Sequence, residues 1–231
     1  MWIDDVVLEQ SHNNLYLSLW RPEKPIVVVG SGNDESKECQ LQRCKKDNLP
    51  VYRRYGGGGA VVLHQGCIII SLGVWVRHMY QNDRYFSKIN EAIIKTLSLV
   101  SPTFGGVYQD GLSDLVYAGK KIMGSSMFRS RHYLLFQGSI LFDSKVEIIS
   151  SYLEHPSKEP EYRKGKAHQD FLTCLKDISP GVTYEQVNNV FHNSFENLLR
   201  AELKDLVIAP CKNQIENLEK RRKQNKGILL N

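Results

Sequence analysis

Hydrophobic and polar positions fall into short alternating or continuous apolar runs, broken by turns, with three helical stretches among them. Residues 15–20 (Leu-Tyr-Leu-Ser-Leu-Trp) and 26–29 (Ile-Val-Val-Val) predict strands, separated by the turn Arg21-Pro22-Glu23-Lys24-Pro25. The polar stretch Glu35 to Asn48 predicts one helix. Val51–Arg54 predicts a short strand that runs into four glycines, Gly56 to Gly59. Ala60–Leu63 and Cys67–Val76 predict sheet. From Arg84 to Val100, Ile89, Ile93, Leu97 and Val100 recur at helical spacing and predict an amphipathic helix. Strand-type segments return at Asp114–Tyr117, Lys121–Met123 and Tyr133–Phe142. The charged, proline-bearing segment Glu154–Lys166 predicts an exposed loop. Thr183 and Gln186 fit a capping box. The helix it opens is expected to run to about Leu203, with Val187, Val190, Phe191, Phe195 and Leu198 on its apolar face. Strands and helices do not alternate regularly, so the pattern predicts an α+β fold.

Composition narrows the function classes. With 231 residues and 42% hydrophobic side chains the chain can bury a sizeable core. Its longest apolar run, Cys67-Ile68-Ile69-Ile70, is strand-sized, and Met1-Trp2-Ile3-Asp4-Asp5 is no signal peptide. A soluble cytoplasmic protein is expected, with no membrane partner. Thirty basic against 25 acidic side chains leave a formal charge of +5. That mild excess suits anionic substrates but falls short of a nucleic-acid-binding composition. The basic run Lys220-Arg221-Arg222-Lys223 predicts a solvated helix end. Five scattered cysteines argue against a disulfide framework, and Cys39 and Cys44 lack the second pair that a zinc site needs.

Two segments carry candidate chemistry. In Arg53-Arg54-Tyr55-Gly56-Gly57-Gly58-Gly59-Ala60, consecutive glycines let backbone approach a ligand closely, and the arginines supply donors to an anion. No Gly-Lys-Ser/Thr follows, so this is not a P-loop, and apolar β-type residues stand where a dinucleotide fingerprint would open a helix. In Ser113-Asp114-Leu115 to Lys121-Ile122-Met123-Gly124-Ser125-Ser126, Gly119-Lys120 predicts a hairpin turn that delivers Lys121 onto a strand. An ammonium fixed there suits the charge that builds up in acyl or phosphoryl transfer.

Together these motifs resemble the lipoate–protein ligase A family of the biotin/lipoate ligase group. The family's landmarks are Arg-Arg-x-x-Gly-Gly-Gly-x-Val, Asn/Ser-Asp-Leu, Lys-x-x-Gly-x-x and His/Gln-Gly-Thr/Ser-x-Leu. In this chain they read Arg53 to Val61, Ser113-Asp114-Leu115, Lys121 to Ser126, and Gln137-Gly138-Ser139-Ile140-Leu141. The flanks agree at Leu19-Trp20-Arg21, Lys37-Glu38-Cys39 and Gly165 to Thr173, before Pro180-Gly181-Val182-Thr183. A less-studied branch is more similar still, with Gly66-Cys67 after the glycine loop and the stretch Tyr162-Arg163-x-Gly165-x-x-His168.

The resemblance implies a class II synthetase-like mixed sheet flanked by helices, forming one catalytic domain over residues 1–231. It also implies that the family's C-terminal accessory domain is absent and that the first helix is entered midway, which leaves room for an accessory subunit. The implied activity uses ATP and Mg²⁺ to convert lipoate or octanoate to an acyl-adenylate. The acyl group then passes to a lysine of a lipoyl domain, on a 2-oxoacid dehydrogenase E2 component or a glycine cleavage H protein. Alternatives are an acyltransferase between carrier proteins and a non-catalytic lipoyl-binding module. By motif, Lys121 is the catalytic residue. Arg54, Gly57, Gly58, Gly59, Ala60, Asp114, Gly124, Ser126, Gln137, Gly138 and Ser139 bind substrate or adenylate, with Asp114 also near the magnesium. His64 and Cys67 form a secondary pair for a thioester relay, although Cys67 opens an apolar run and a buried, inert thiol is the commoner fate.

Overall fold

The computed structural model describes residues 3–224 and 228–229, the side chains of 222–224 and 228 excepted. Its strands, in chain order, are β1 Leu15–Trp20, β2 Ile26–Val29, β3 Val51–Arg53, β4 Val61–Leu63, β5 Cys67–Trp75, β6 Tyr108–Asp110, β7 Asp114–Tyr117, β8 Lys120–Ser130, β9 Tyr133–Leu141 and β10 Ile228–Leu229. Six of them form an antiparallel sheet in the order β1-β5-β9-β8-β7-β6. The other four form a smaller mixed sheet, β10-β3-β2-β4, in which only β2 and β3 are parallel. Helices cover the sheets, so the α+β expectation holds.

Strand β5 is buried along its whole length. Ile68, Ile70, Leu72 and Val74 enter the core beneath the helices, whereas Cys67 and Ile69 enter a second core against the small sheet. A two-sided burial of this kind explains why the segment reads as a continuous apolar run. The helix Asn82–Val100 buries Ile89, Ile93 and Leu97 in the first core, as its spacing predicted.

Four expectations change. The polar stretch 35–48 is two helices, Glu35–Glu38 and Leu41–Lys46. Between them Cys39 is extended and buried, bridging to Leu153, while the Gln40 N–H bonds the Tyr152 carbonyl. Pairing with a distant segment overrides the helical propensity there. The strand expected at Lys121–Met123 continues to Ser130, because β9 supplies partners to Gly124, Ser125 and Ser126 that their own propensity would not.

The helix opened by Thr183 keeps its cap: Thr183 Oγ1 accepts from the Gln186 N–H, and Gln186 Oε1 accepts from the Thr183 N–H. It contains a π-turn at Phe191–Phe195. Val187, Phe191, Phe195, Leu199 and Leu203 are buried at strict four-residue spacing. In an ideal helix that stripe would drift round the axis, and the wider turn returns it to the core. The segment 154–166 is no plain exposed loop either: it holds a 3₁₀ turn, Glu161–Arg163, with Arg163 buried.

The run Lys220 to Lys223 lies in the helix Lys212–Gln224. Lys220 and Arg221 are exposed, Arg221 Nη1 donates to Ser130 Oγ at 3.3 Å, and the side chains at 222 and 223 lie outside the described residues. Among the described residues no helix is long and apolar enough to cross a membrane.

Candidate active site

A cleft of about 520 Å³ opens between the glycine loop, the β8–β9 face of the large sheet and the segment 154–172. Two backbone features put Lys121 on its wall. The pairing of β7 with β8 runs Leu115 to Met123 and Val116 to Lys121, so Ile122 is a bulged extra residue. The bulge sends both Ile122 and Met123 into the core. Lys121 and Gly124, three residues apart, then share the cleft side.

Gly124 has a physical reason to be glycine. A Cβ there would stand 2.8 Å from Lys121 Cε and 2.9 Å from Nζ. The lysine folds back across this gap, and Nζ lies 2.9 Å from Asp114 Oδ1 with the side chains 25% and 9% exposed. Tyr162 donates its hydroxyl to Asp114 Oδ2 at 2.8 Å, and the Ser113 hydroxyl reaches Oδ1 at 3.3 Å. Burial and the Asp114 charge push the Tyr162 phenol up, so it stays a donor.

Register stacks the neighbouring candidates. Gly124 pairs with Ser139 and Ser126 with Gln137, and these pair onward with Ile69 and Ser71 of β5. Gly138 faces the other way: a Cβ there would meet Met123 Sδ and the Phe136 ring at 3.2 Å, so its smallness serves the core.

The glycine loop is held by its own arginine. Arg54, 7% exposed, donates from Nη2 to the carbonyls of Gly57 (2.7 Å) and Gly59 (2.9 Å). Its Nε reaches Gly57 at 3.2 Å and its Nη1 reaches the Val28 carbonyl at 3.4 Å. Burial lowers the guanidinium to about 10, still charged at neutral pH. Gly58 has a positive φ of 90°, and its carbonyl approaches Gly30 so closely that a Cβ on Gly30 would lie 1.8 Å away. Arg53 turns outward to Glu35 and to the carbonyls of Gly30 and Asn33.

Arg54, Gly58, Gly59, Ala60, Asp114, Lys121, Gly124, Ser126, Gln137, Gly138 and Ser139 all line the cleft. Gly57, His64 and Cys67 are not among its lining residues. His64 is buried; Nδ1 accepts the Gly66 N–H at 3.0 Å, which leaves Nε2–H to face Ser144 Oγ at 2.8 Å. Burial and Arg21 lower its pKa, and burial pushes the Cys67 thiol up to about 11. With both ring nitrogens occupied, His64 is no base for that thiol.

The fold also brings to the cleft residues of the flanking motifs to which the sequence reading gave no role. Glu38 is buried beside Gly59 and accepts from the Ser157 hydroxyl and N–H. Arg163 and His168 line the same wall as Lys121. The stretches Lys37-Glu38-Cys39 and Tyr162-Arg163-x-Gly165-x-x-His168 carried the signal in the sequence, but spacing alone gave none of these residues a place in the site.

A family model described as the lipoyl protein ligase A/B catalytic domain matches residues 1–196. Octanoyltransferase LipM of Oceanobacillus iheyensis is 26% identical over 210 residues, 83% of this chain and 76% of that protein. A bipartite lipoate protein ligase of Thermoplasma acidophilum, solved in a study that includes its E2 lipoyl domain, superposes with a TM-score of 0.71 at 20% identity. That match covers 96% of this chain and 88% of the other. A lipoate-protein ligase A bound with ATP gives a TM-score of 0.69 at 19% identity, covering 96% and 90%. At these identities the superpositions establish the shared fold. Matched by the family model over most of its length, the chain belongs to the lipoyl protein ligase A/B catalytic domain family, whose enzymes are lipoate ligases and lipoyl or octanoyl transferases.

Proposed function

We propose that the protein is an ATP-dependent lipoate–protein ligase. The carboxylate of lipoate or octanoate attacks the α-phosphate of ATP, pyrophosphate leaves, and the acyl group of the resulting adenylate passes to a lysine on a lipoyl domain of an E2 component or an H protein. The observation that carries this reading is Lys121, an ammonium pinned by Asp114 on the wall of a cleft that has no cysteine among its lining residues. Direct transfer from an activated acyl group needs such a cation and no enzyme thiol.

Apolar side chains, among them Val28, Val62, Leu63, Ile69 and Leu141, line one part of the cleft and suit the acyl chain. Each buried methylene contributes roughly 0.8 kcal/mol. In the transfer step the acceptor's neutral amine attacks the acyl carbonyl carbon. The C–N bond forms, the C–O bond to phosphate breaks, AMP leaves with that electron pair, and the amine's surplus proton passes to solvent. Lys121 stabilises the charge on the carbonyl oxygen and then on the departing phosphate. Arg54 keeps the glycine loop in shape for the approach.

Magnesium at Asp114 does not fit the donor set. Both carboxylate oxygens are engaged, and an ion there would displace Lys121. Asp114 is instead the counter-ion that orients the lysine, with Tyr162 behind it.

The test is pyrophosphate exchange into ATP, dependent on lipoate or octanoate and abolished by Lys121→Ala. The relative named as an octanoyltransferase favours a second reading, transfer from an acylated carrier without ATP. Transfer from octanoyl-carrier to a lipoyl domain, with no exchange under any medium-chain acid, would replace the ligase reading by that one.

A further inference from the structure

Arg163 lines the cleft, is 4% exposed, and takes no part in the chemistry above. Its Nε donates to the Lys166 carbonyl at 3.0 Å and lies 3.4 Å from the Glu159 carboxylate. The guanidinium carbon stands 4.7 Å from the centroid of the Phe171 ring. Nη2 is buried and has no acceptor among the described residues. A buried, charged N–H without an acceptor is costly, and native folds leave few of them.

The contrast with buried Arg54 and half-buried Arg129 is informative. Arg54 spends its nitrogens on backbone carbonyls of its own loop. Arg129 also has unpaired nitrogens, but it covers the Tyr85 ring away from the cleft. Arg163 alone of the three combines burial, an unpaired donor and a place in the cleft wall.

Its neighbours point to an anion close to the reacting carbonyl. Phe171 carries the guanidinium, and the next residue, Leu172, bridges to Lys121. His168 lines the same wall, held neutral by burial and by the charges of Arg163, His155 and Lys121. With Lys121 taken by the acyl carbonyl, the second cation faces what the carbonyl is attached to.

We infer that Arg163 is a specificity residue that binds the phosphate ester of the activated acyl donor through Nη2, the terminal nitrogen the fold leaves without an acceptor. The inference rests on the reading that this cleft handles an activated acyl group. The geometry favours a nucleotide, whose phosphate is joined directly to the acyl group; a phosphopantetheine thioester, whose phosphate lies at the far end of its arm from the carbonyl, is the alternative that the test distinguishes.

Calorimetry on the full chain separates them, with AMP against adenosine and 4′-phosphopantetheine against pantetheine. A charged hydrogen bond predicts that the wild type prefers one phosphorylated ligand by about tenfold or more. In Arg163→Gln that preference should drop below about threefold, with the unphosphorylated ligand bound as before. Arg163→Met retains an unbranched stem against Phe171, removes the unpaired charge, and should behave alike; it serves if the glutamine variant fails to fold. Preference for AMP assigns the site to a nucleotide, and preference for phosphopantetheine to a carrier. The proposal is overturned if the wild type shows no phosphate preference, if the variants keep it, or if they lose both members of a pair equally. Absent pyrophosphate exchange with a preserved, Arg163-dependent phosphopantetheine preference would defeat the ligase reading alone. Exchange without any Arg163-dependent phosphate preference would defeat this proposal alone.

Discussion

Gly124→Ala separates the position of Lys121 from the stability of the fold. The new methyl carbon would sit 2.8 Å from Lys121 Cε and 2.9 Å from Nζ, against ordinary contacts that begin near 3.4 Å. The lysine must retreat by about 0.6 Å, the difference between those distances, and it is a flexible side chain that can do so. Its ion pair with Asp114 is partly exposed and worth roughly 0–1 kcal/mol. Part of that loss is offset because alanine restricts the unfolded chain. The melting temperature should therefore fall by no more than about 4 °C. Catalysis depends on where the ammonium stands, and misplacing one charge-stabilising donor costs roughly 10²–10³ in kcat. The assay is acyl transfer to a lipoyl domain followed by intact-protein mass spectrometry, beside thermal unfolding of the same sample. Gly105→Ala, where a Cβ meets nothing within 4 Å, is the control and should change neither quantity. Activity within about threefold of wild type would refute the claim that Lys121 works from this position. A large melting shift with unchanged activity would make Gly124 a packing glycine.

Other substitutions probe the loop, the thiol and the histidine. Arg54→Lys keeps a charge but loses the fork that holds Gly57 and Gly59, and should cost about 2–3 kcal/mol in denaturant unfolding; an unchanged midpoint would show that the loop keeps its shape without it. Native-state alkylation should label exposed Cys211 and spare Cys67, and Cys67→Ala should retain activity; an acyl adduct on Cys67 after incubation with an acylated carrier would reverse that. His168 is held at about 4, below its ordinary 6.5, so the unfolded chain binds the extra proton as pH falls. Stability from this group is complete above pH 6.5 and drains toward pH 4, by at most about 3 kcal/mol before solvent screening. Melting temperatures from pH 7.5 to 4 should slope less in His168→Gln than in wild type, and equal slopes would refute the assignment. Glu202, held near 2 by Lys88 and Lys95, gives way only below pH 4.5, at the acid end of that window, and does so equally in both proteins.

Much of the fold was legible because local pattern and tertiary context agreed. The central strand was an apolar run, the long helix carried Ile89, Ile93 and Leu97 at helical spacing, and Thr183 announced its cap. Agreement failed where distant partners competed with local preference. Cys39 left its helix to pair with Leu153, and Gly124-Ser125-Ser126 became strand because β9 lay beside them.

The sequence by itself determined which residues could do the chemistry: a lysine after a hairpin, an aspartate seven residues before it, an arginine ahead of four glycines. Spacing along the chain cannot say which way a side chain turns or what it meets. Only the tertiary structure decided that a bulge at Ile122 puts Lys121 and Gly124 on one face. It alone turned Arg54 into the brace of its own loop, set Tyr162 behind Asp114, and brought Arg163 from a charged segment to the cleft. The physical reason is that these roles come from burial and from hydrogen bonds between residues far apart in sequence, which form only when the two sheets close against the helices.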